Sequence, residues 1–147
     1  MIFKSILAPV DGSAPSNAAV TLAVTLAKEG AASLAFCHVV QLPLPVHDAG
    51  GFAREEIMEE DTARAREILE AARKRAADAG ITAKTEVLVG PVVDAILEAA
   101  KEYKTDVIVM GTHGRTGIVR AVLGSKTADV IARSPIPVLV APHPPGS

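Results

Sequence analysis

Val107-Ile108-Val109-Met110-Gly111-Thr112-His113-Gly114-Arg115-Thr116-Gly117 joins an apolar run to a glycine-rich turn, and Gly124-Ser125-Lys126 closes that turn where a helical segment begins. The apolar run reads as a strand buried on both faces of a parallel sheet. Glycines at a strand's carboxyl end let the backbone come close to a ligand with no Cβ in the way. The helix start that follows offers unpaired N–H groups and the positive end of a dipole, which suit a phosphate. His113, Arg115 and Lys126 add donors that can be cationic. Two readings stand: a cradle for a nucleotide's phosphates, or a turn whose basic residues face water. The spacing is not the dinucleotide fingerprint. Nor is it a Walker A loop, because Val119 occupies the position five before Gly124 where that motif needs glycine.

Working outward, strand and helix patterns alternate along the chain. Ile6 to Val10 is a first apolar strand, and Asp11-Gly12-Ser13 a turn, with Ser13 and Pro15 marking a helix start. That helix carries Leu22, Ala23, Leu26 and Ala27 and ends at Gly30 as its cap. Ser33 to Val40 is a second strand, and the Pro-rich stretch from Leu42 to Gly51 a surface loop. Ala53 to Ala79 is the clearest helix. Its apolar stripe is Ile57, Ala65, Ile68, Leu69, Ala72 and Ala76, with Glu60–Arg64 and Glu70–Lys74 at i,i+4 spacing and acidic residues crowding its start. Gly80 caps it. Thr85 to Val89, Asp106 to Met110 and Pro137 to Ala141 are the remaining strands; Gly90-Pro91 opens a helix through Ile96, Leu97 and Ala100, and a last helix runs from Ser125 to Arg133.

This alternation predicts one α/β domain spanning residues 1–147: an open, mostly parallel five-stranded sheet of order 3-2-1-4-5 with helices on both faces. Ligands of such sheets bind outside the strands' carboxyl ends where the strand order reverses. Here that point lies between the first and fourth strands, where Pro9-Val10-Asp11 meets Met110-Gly111.

A chain of 147 residues suits one domain with a respectable core. Apolar residues make up 49% of it, mostly aliphatic, which fits close helix-on-sheet packing better than a surface for stacking bases. The net charge of −2 argues against a general nucleic-acid or membrane binder. Cys37, the single cysteine, has no disulfide or metal partner and reads as a buried small hydrophobe. The N-terminal apolar run stops at Asp11, too short for a secretory signal or a membrane span, so a cytosolic protein is expected.

Asp11 suits a ribose hydroxyl, or alternatively an Asx-type turn. Ser125 can bond its own helix backbone, a phosphate, or both. His38, beside Cys37 in mid-strand, reads as a hydrogen-bonded structural residue; His47 and His143 lie far apart, and no dedicated metal site is expected. No nucleophile elbow and no carboxylate pair for acid–base work is visible, so no catalytic residue is assigned and binding is favoured over turnover.

Asp11 after the first strand, His38-Val39 in the second, and Gly111-x2-Gly114-x9-Gly124-Ser125 together resemble the universal stress protein family in its nucleotide-binding class, along essentially the whole chain. The resemblance implies a bound ATP. Val39 would touch adenine through its backbone with Pro9 and Val10 nearby, and Asp11 and Gly111, following Met110, would hold the ribose. Gly114, Gly124 and Ser125 would seat the phosphates beside His113, Arg115 and Thr127, often with Mg²⁺ or Mn²⁺. It also implies a homodimer joined through the last strand, Val138-Leu139-Val140, whose apolar edge a partner would cover. Lys126 stands where relatives usually carry a small or branched apolar residue, and either adds a phosphate contact or points to solvent. The function implied is a stress-response sensor or regulator with at most slow ATP hydrolysis and a regulatory protein partner the sequence does not identify. The alternative is a nucleotidyl-transfer or phosphoanhydride-hydrolysing enzyme on the same fold, for which only Asp11 and His113 qualify as reactive groups. A flavodoxin-like electron carrier shares the fold class, but the chain is poor in aromatics to stack on a flavin.

Overall fold

A computed structural model describes residues 3–41, 51–112 and 123–142, apart from the side chains of residues 51–55 and 57. Its elements, in chain order, are β1 (Ser5–Pro9), α1 (Ala14–Gly30), β2 (Ser33–Val40), α2 (Gly51–Asp78), β3 (Lys84–Val89), α3 (Val92–Glu102), β4 (Val107–Gly111), α4 (Ser125–Arg133) and β5 (Val138–Ala141). All neighbouring strands pair in parallel, and the sheet order is β3-β2-β1-β4-β5, as the alternation predicts.

Strand side chains alternate between faces, and both faces of this sheet are covered. Ile6, Ala8, Val10, Leu34, Phe36, Val107 and Val109 pack with α1 and α2 residues, among them Ala19, Ala23, Leu69 and Ala76. Leu7, Ala35, Cys37, Ile108 and Met110 pack on the other face with Ile96 and Ala99 of α3 and Val130 of α4. This is why the strands read as continuous apolar runs. Alanines dominate the helix faces, and such small side chains suit close approach of helix to sheet.

Three local details differ from the sequence reading. Gly30 is the last helical residue of α1; the left-handed cap is Ala31, at φ 50° and ψ 45°. The extra residue places the positive φ on a position with a Cβ. Second, α2 starts at Gly51, before the acidic cluster, so its first turn holds no carboxylate. Third, its ion pairs form at i,i+3 rather than i,i+4: Arg64 meets Asp61 at 3.9 Å, and Arg73 Nε donates to Glu70 Oε2 at 2.8 Å. The Arg73 hydrogen bond holds the exposed Glu70 carboxyl below its ordinary range. The apolar stripe of α2 is otherwise as read, with Ala65, Leu69, Ala72 and Ala76 buried, and Gly80 caps the helix at φ +85°. The side chain of Ile57, the loop of residues 42–50 and the tail of residues 143–147 lie outside the described residues. Among the described residues, no helix is long and apolar enough to cross a membrane.

Candidate functional site at the strand-order reversal

Consecutive residues of a strand turn their backbone groups toward opposite neighbours. Val10 N–H donates to Cys37 O at 2.8 Å, so Val10 faces β2 and Pro9 faces β4. Pro9 has no N–H to give. The β1–β4 pairing accordingly comprises Ile6 with Val107 and Leu7 with Ile108, whereas β4 stays paired with β5 through Gly111 and Ala141. A proline in a central strand is tolerated only where the ladder is to end, and here it opens a gap between β1 and β4 at their carboxyl ends.

Asp11, Gly12 and Ser13 turn the chain from this gap into α1. Ser13 N–H donates to Asp11 Oδ1 at 2.9 Å, Asp11 N–H donates to Ser16 Oγ at 3.0 Å, and Ser16 N–H donates to Ser13 Oγ at 3.2 Å. The turn reading of Asp11 and the capping role of Ser13 both hold. The same bonds fix the half-buried Asp11 carboxylate at the reversal point. The start of α1 then lies directly against β4: a Cβ built on Gly111 would stand 2.5 Å from Pro15 O. Gly111 is therefore a glycine because helix backbone occupies the space a side chain would need.

On the far side of the gap, α4 is tied to the end of β4 by two bonds. Gly124 N–H donates to Thr112 O at 2.6 Å, and the buried Thr127 donates through Oγ1 to Gly111 O at 2.9 Å. Gly124 is the N-cap of α4 and supplies no side-chain cap. Helical bonding begins with Ala128 N–H to Gly124 O, so the N–H groups of Ser125, Lys126 and Thr127 have no partner within the helix. Ser125 and Lys126 are exposed at this end. Thr112 Oγ1, at the root of the same loop, is buried without a hydrogen-bond partner among the described residues.

The third edge of the crevice is β2. Gly90 N–H donates to Val40 O at 3.2 Å, so Val40 faces β3, and Val39 faces the β1 side just beyond the point where β1 ends. Val10 O, which would accept Val39 N–H if the ladder ran on, is instead bonded by His38 Nδ1 at 2.7 Å. A carbonyl only accepts, so Nδ1 carries the hydrogen. His38 is thus the bonded structural residue its sequence context suggests.

The fold therefore gathers Pro9, Val10, Asp11, Val39, Gly111, Gly124, Ser125, Lys126 and Thr127 around one crevice. Met110 is also there, but its side chain is buried against α3 and α4, leaving only its backbone near the site. His113, Gly114 and Arg115 lie outside the described residues. Sequence reasoning did not single out Ser16, Thr112 or the bond from His38 to Val10. The sequence signal that was available for the gap is Pro9 inside an otherwise buried strand. Cys37 is fully buried in the core on the α3 face of the sheet; burial, with a smaller contribution from Glu86, pushes its thiol up to about 12. Among the described residues, no three His, Cys, Asp or Glu side chains are grouped so as to hold a metal ion.

This architecture is shared with known proteins. The sequence matches the Universal stress protein family over residues 2–142. A universal stress protein of Methanocaldococcus jannaschii is 36% identical over 147 residues, covering 97% of this chain and 84% of that one. The solved structure of universal stress protein UspA from Lactobacillus plantarum has a TM-score of 0.88 at 28% identity, covering 97% of this chain and 99% of that one. A universal stress protein solved in complex with cAMP has a TM-score of 0.72 at 29% identity, covering 95% of this chain and 97% of that one. With the match spanning the sheet, every helix and the crevice at its reversal point, this chain belongs to the universal stress protein family.

Proposed function

We propose that this protein binds an adenine nucleotide, ATP in the first instance, in the crevice between β1 and β4, and acts as a cytosolic, nucleotide-dependent regulator of a stress response. The observation that carries the reading is the Val39 backbone, whose N–H and C=O both face the space vacated by β1. A donor and an acceptor side by side match adenine's N1 acceptor and N6 donor. The relative in complex with cAMP supports a ligand of the same base class.

The remaining residues fall into place around a base at Val39. Asp11 and the Gly111 backbone take the ribose hydroxyls. Gly114, Gly124 and Ser125 seat the phosphates at the start of α4, where the dipole favours anions, with His113, Arg115 and Thr127 beside them. Lys126, exposed at the same helix end, adds charge beside the phosphates without being needed for the cradle. A divalent cation would be held mainly by phosphate oxygens and water, as Mg²⁺ commonly is. The functional unit is a homodimer joined along β5, whose Val138, Leu139 and Val140 are all only partly buried at the sheet edge. Turnover is slow at most, since the reading assigns no base to activate water.

Native mass spectrometry of the purified protein, followed by extraction of bound small molecules and titration with Mg²⁺-ATP, AMP and cAMP, tests the proposal. A dimer that binds adenine nucleotides, with affinity reduced in Gly114→Ala or Gly124→Ala, is the expected result. Failure to bind at millimolar nucleotide would overturn nucleotide binding; unchanged affinity in both variants would overturn the cradle. Multiple turnover of ATP abolished by His113→Ala would replace the regulator with an enzyme.

A further inference from the structure

The crevice stays open on the β2 side through a contact that the nucleotide reading does not itself require. Val10, the residue after β1, makes the last bond from that segment to β2, through its N–H. In a regular parallel ladder the next bond would run from Val39 N–H to Val10 O. The His38 side chain takes that acceptor at 2.7 Å, and among the described residues Val39 N–H has no bond from β1. His38 and Val39 are adjacent, so the residue that claims the carbonyl is the immediate neighbour of the residue whose N–H is displaced from it.

We propose that His38 is a positioning residue for base recognition: by occupying Val10 O with its Nδ1–H, it holds Val39 N–H out of the β1–β2 ladder and presents it, with Val39 C=O, to the edge of a purine. This rests on the adenine-nucleotide reading for what the edge is used for, but not for the latch itself. Without the imidazole, Val10 O is a half-buried acceptor seeking a donor. The nearest regular one is Val39 N–H, so the ladder zips on by one bond and the base loses its donor. Asparagine can restore the latch, because its side-chain amide nitrogen reaches about as far as Nδ1. Glutamine, whose amide lies one bond further out, cannot.

The latch is tested on the nucleotide-free protein by amide hydrogen exchange at Val39, followed by NMR, in wild type, His38→Ala, His38→Asn and His38→Gln. The Val39 amide is expected to exchange at least 10-fold faster in wild type and His38→Asn than in His38→Ala and His38→Gln. A Val39 amide already protected in wild type, or unchanged by His38→Ala, overturns the proposal. If His38→Ala fails to fold, the contrast of wild type and His38→Asn with His38→Gln decides. AMP and inorganic tripolyphosphate are then titrated into the same proteins. AMP affinity is expected to fall about 10-fold or more in His38→Ala and to recover in His38→Asn, while tripolyphosphate affinity stays within two-fold. Parallel losses for both ligands would make His38 a general structural residue and overturn its role at the base. Absence of AMP binding in wild type would sink the nucleotide reading, while the exchange data would still decide the latch.

Discussion

Gly111 Cα faces the Pro15 carbonyl so closely that a Cβ would stand 2.5 Å from the oxygen and 2.6 Å from its carbon. Both neighbours are backbone, one at the end of a central strand and the other in the first turn of a helix, so neither can swing aside. Gly111→Ala should therefore destabilise the protein by about 1–3 kcal/mol, the usual range for overpacking, lowering Tm by about 2–4 °C per kcal/mol. Thermal unfolding checks this. An unchanged Tm would mean that α1 does not approach β4 as described.

Pro9 ends the β1–β4 ladder because its missing N–H would face Val109 O. Pro9→Ala should supply that N–H and close the crevice by one ladder bond. The hydrogen bond adds about 0.5–1.5 kcal/mol, and the more flexible unfolded chain removes about 0.4–1 kcal/mol, so stability should stay within about 1 kcal/mol. The residue 9 amide should become protected from hydrogen exchange and AMP affinity should fall. A readily exchanging amide at position 9 would rule out the strand-parity argument.

Thr127 ties α4 to the end of β4 through Gly111 O. Thr127→Val keeps the shape, removes the donor and leaves a carbonyl unsatisfied, at a cost of about 1–3 kcal/mol. Thr127→Ser should retain most of the stability. Urea midpoints of the two variants give the comparison, and equal midpoints would show that the bond contributes nothing.

Burial raises the Cys37 thiol from 9.0 to about 12. The group is neutral when protonated, and its folded value lies above its unfolded one. Its contribution is complete below the unfolded value and is lost as pH rises from about 9 through 12. Across that window the unfolded chain has released a proton that the folded one keeps, so stability falls by up to about 1.4 kcal/mol per pH unit. Cys37→Ala should show a shallower decline over the same window. Below it, alkylation of native protein at pH 8 should be slow and should become rapid on unfolding; rapid native alkylation would place the thiol at the surface.

The elements of the described residues were legible in the sequence to within a residue or two, because each rests on local chemistry. Apolar runs mark strands covered on both faces, Ser13 and Pro15 mark the start of α1, and the period of Ala65, Leu69, Ala72 and Ala76 marks the face of α2. Alternation of strand and helix pointed to the parallel sheet, and the sheet pointed to the place where its order reverses. The boundary errors fell where a cap is decided by a backbone angle, as at Ala31, which takes the left-handed conformation although glycine stands one residue earlier. The ion pairs of α2 were misassigned because Arg64 has acidic residues both three and four positions before it, Asp61 and Glu60, and Glu70 has basic residues both three and four positions after it, Arg73 and Lys74; side-chain geometry alone selects between them.

What belongs to the tertiary structure is the use each residue makes of its backbone. Sequence spacing identified Gly111 as permissive, but only the approach of Pro15 shows what occupies the space. Sequence context identified His38 as hydrogen-bonded, but its partner lies 28 residues away, just past the end of a neighbouring strand. Whether Val39 faces β1 or β3, and whether Pro9 faces β2 or β4, depends on register between strands, and register is set by the packing of both sheet faces at once. Local sequence determined which residues stand at the crevice; the pairing of distant strands decided which of their hydrogen-bonding groups open into it.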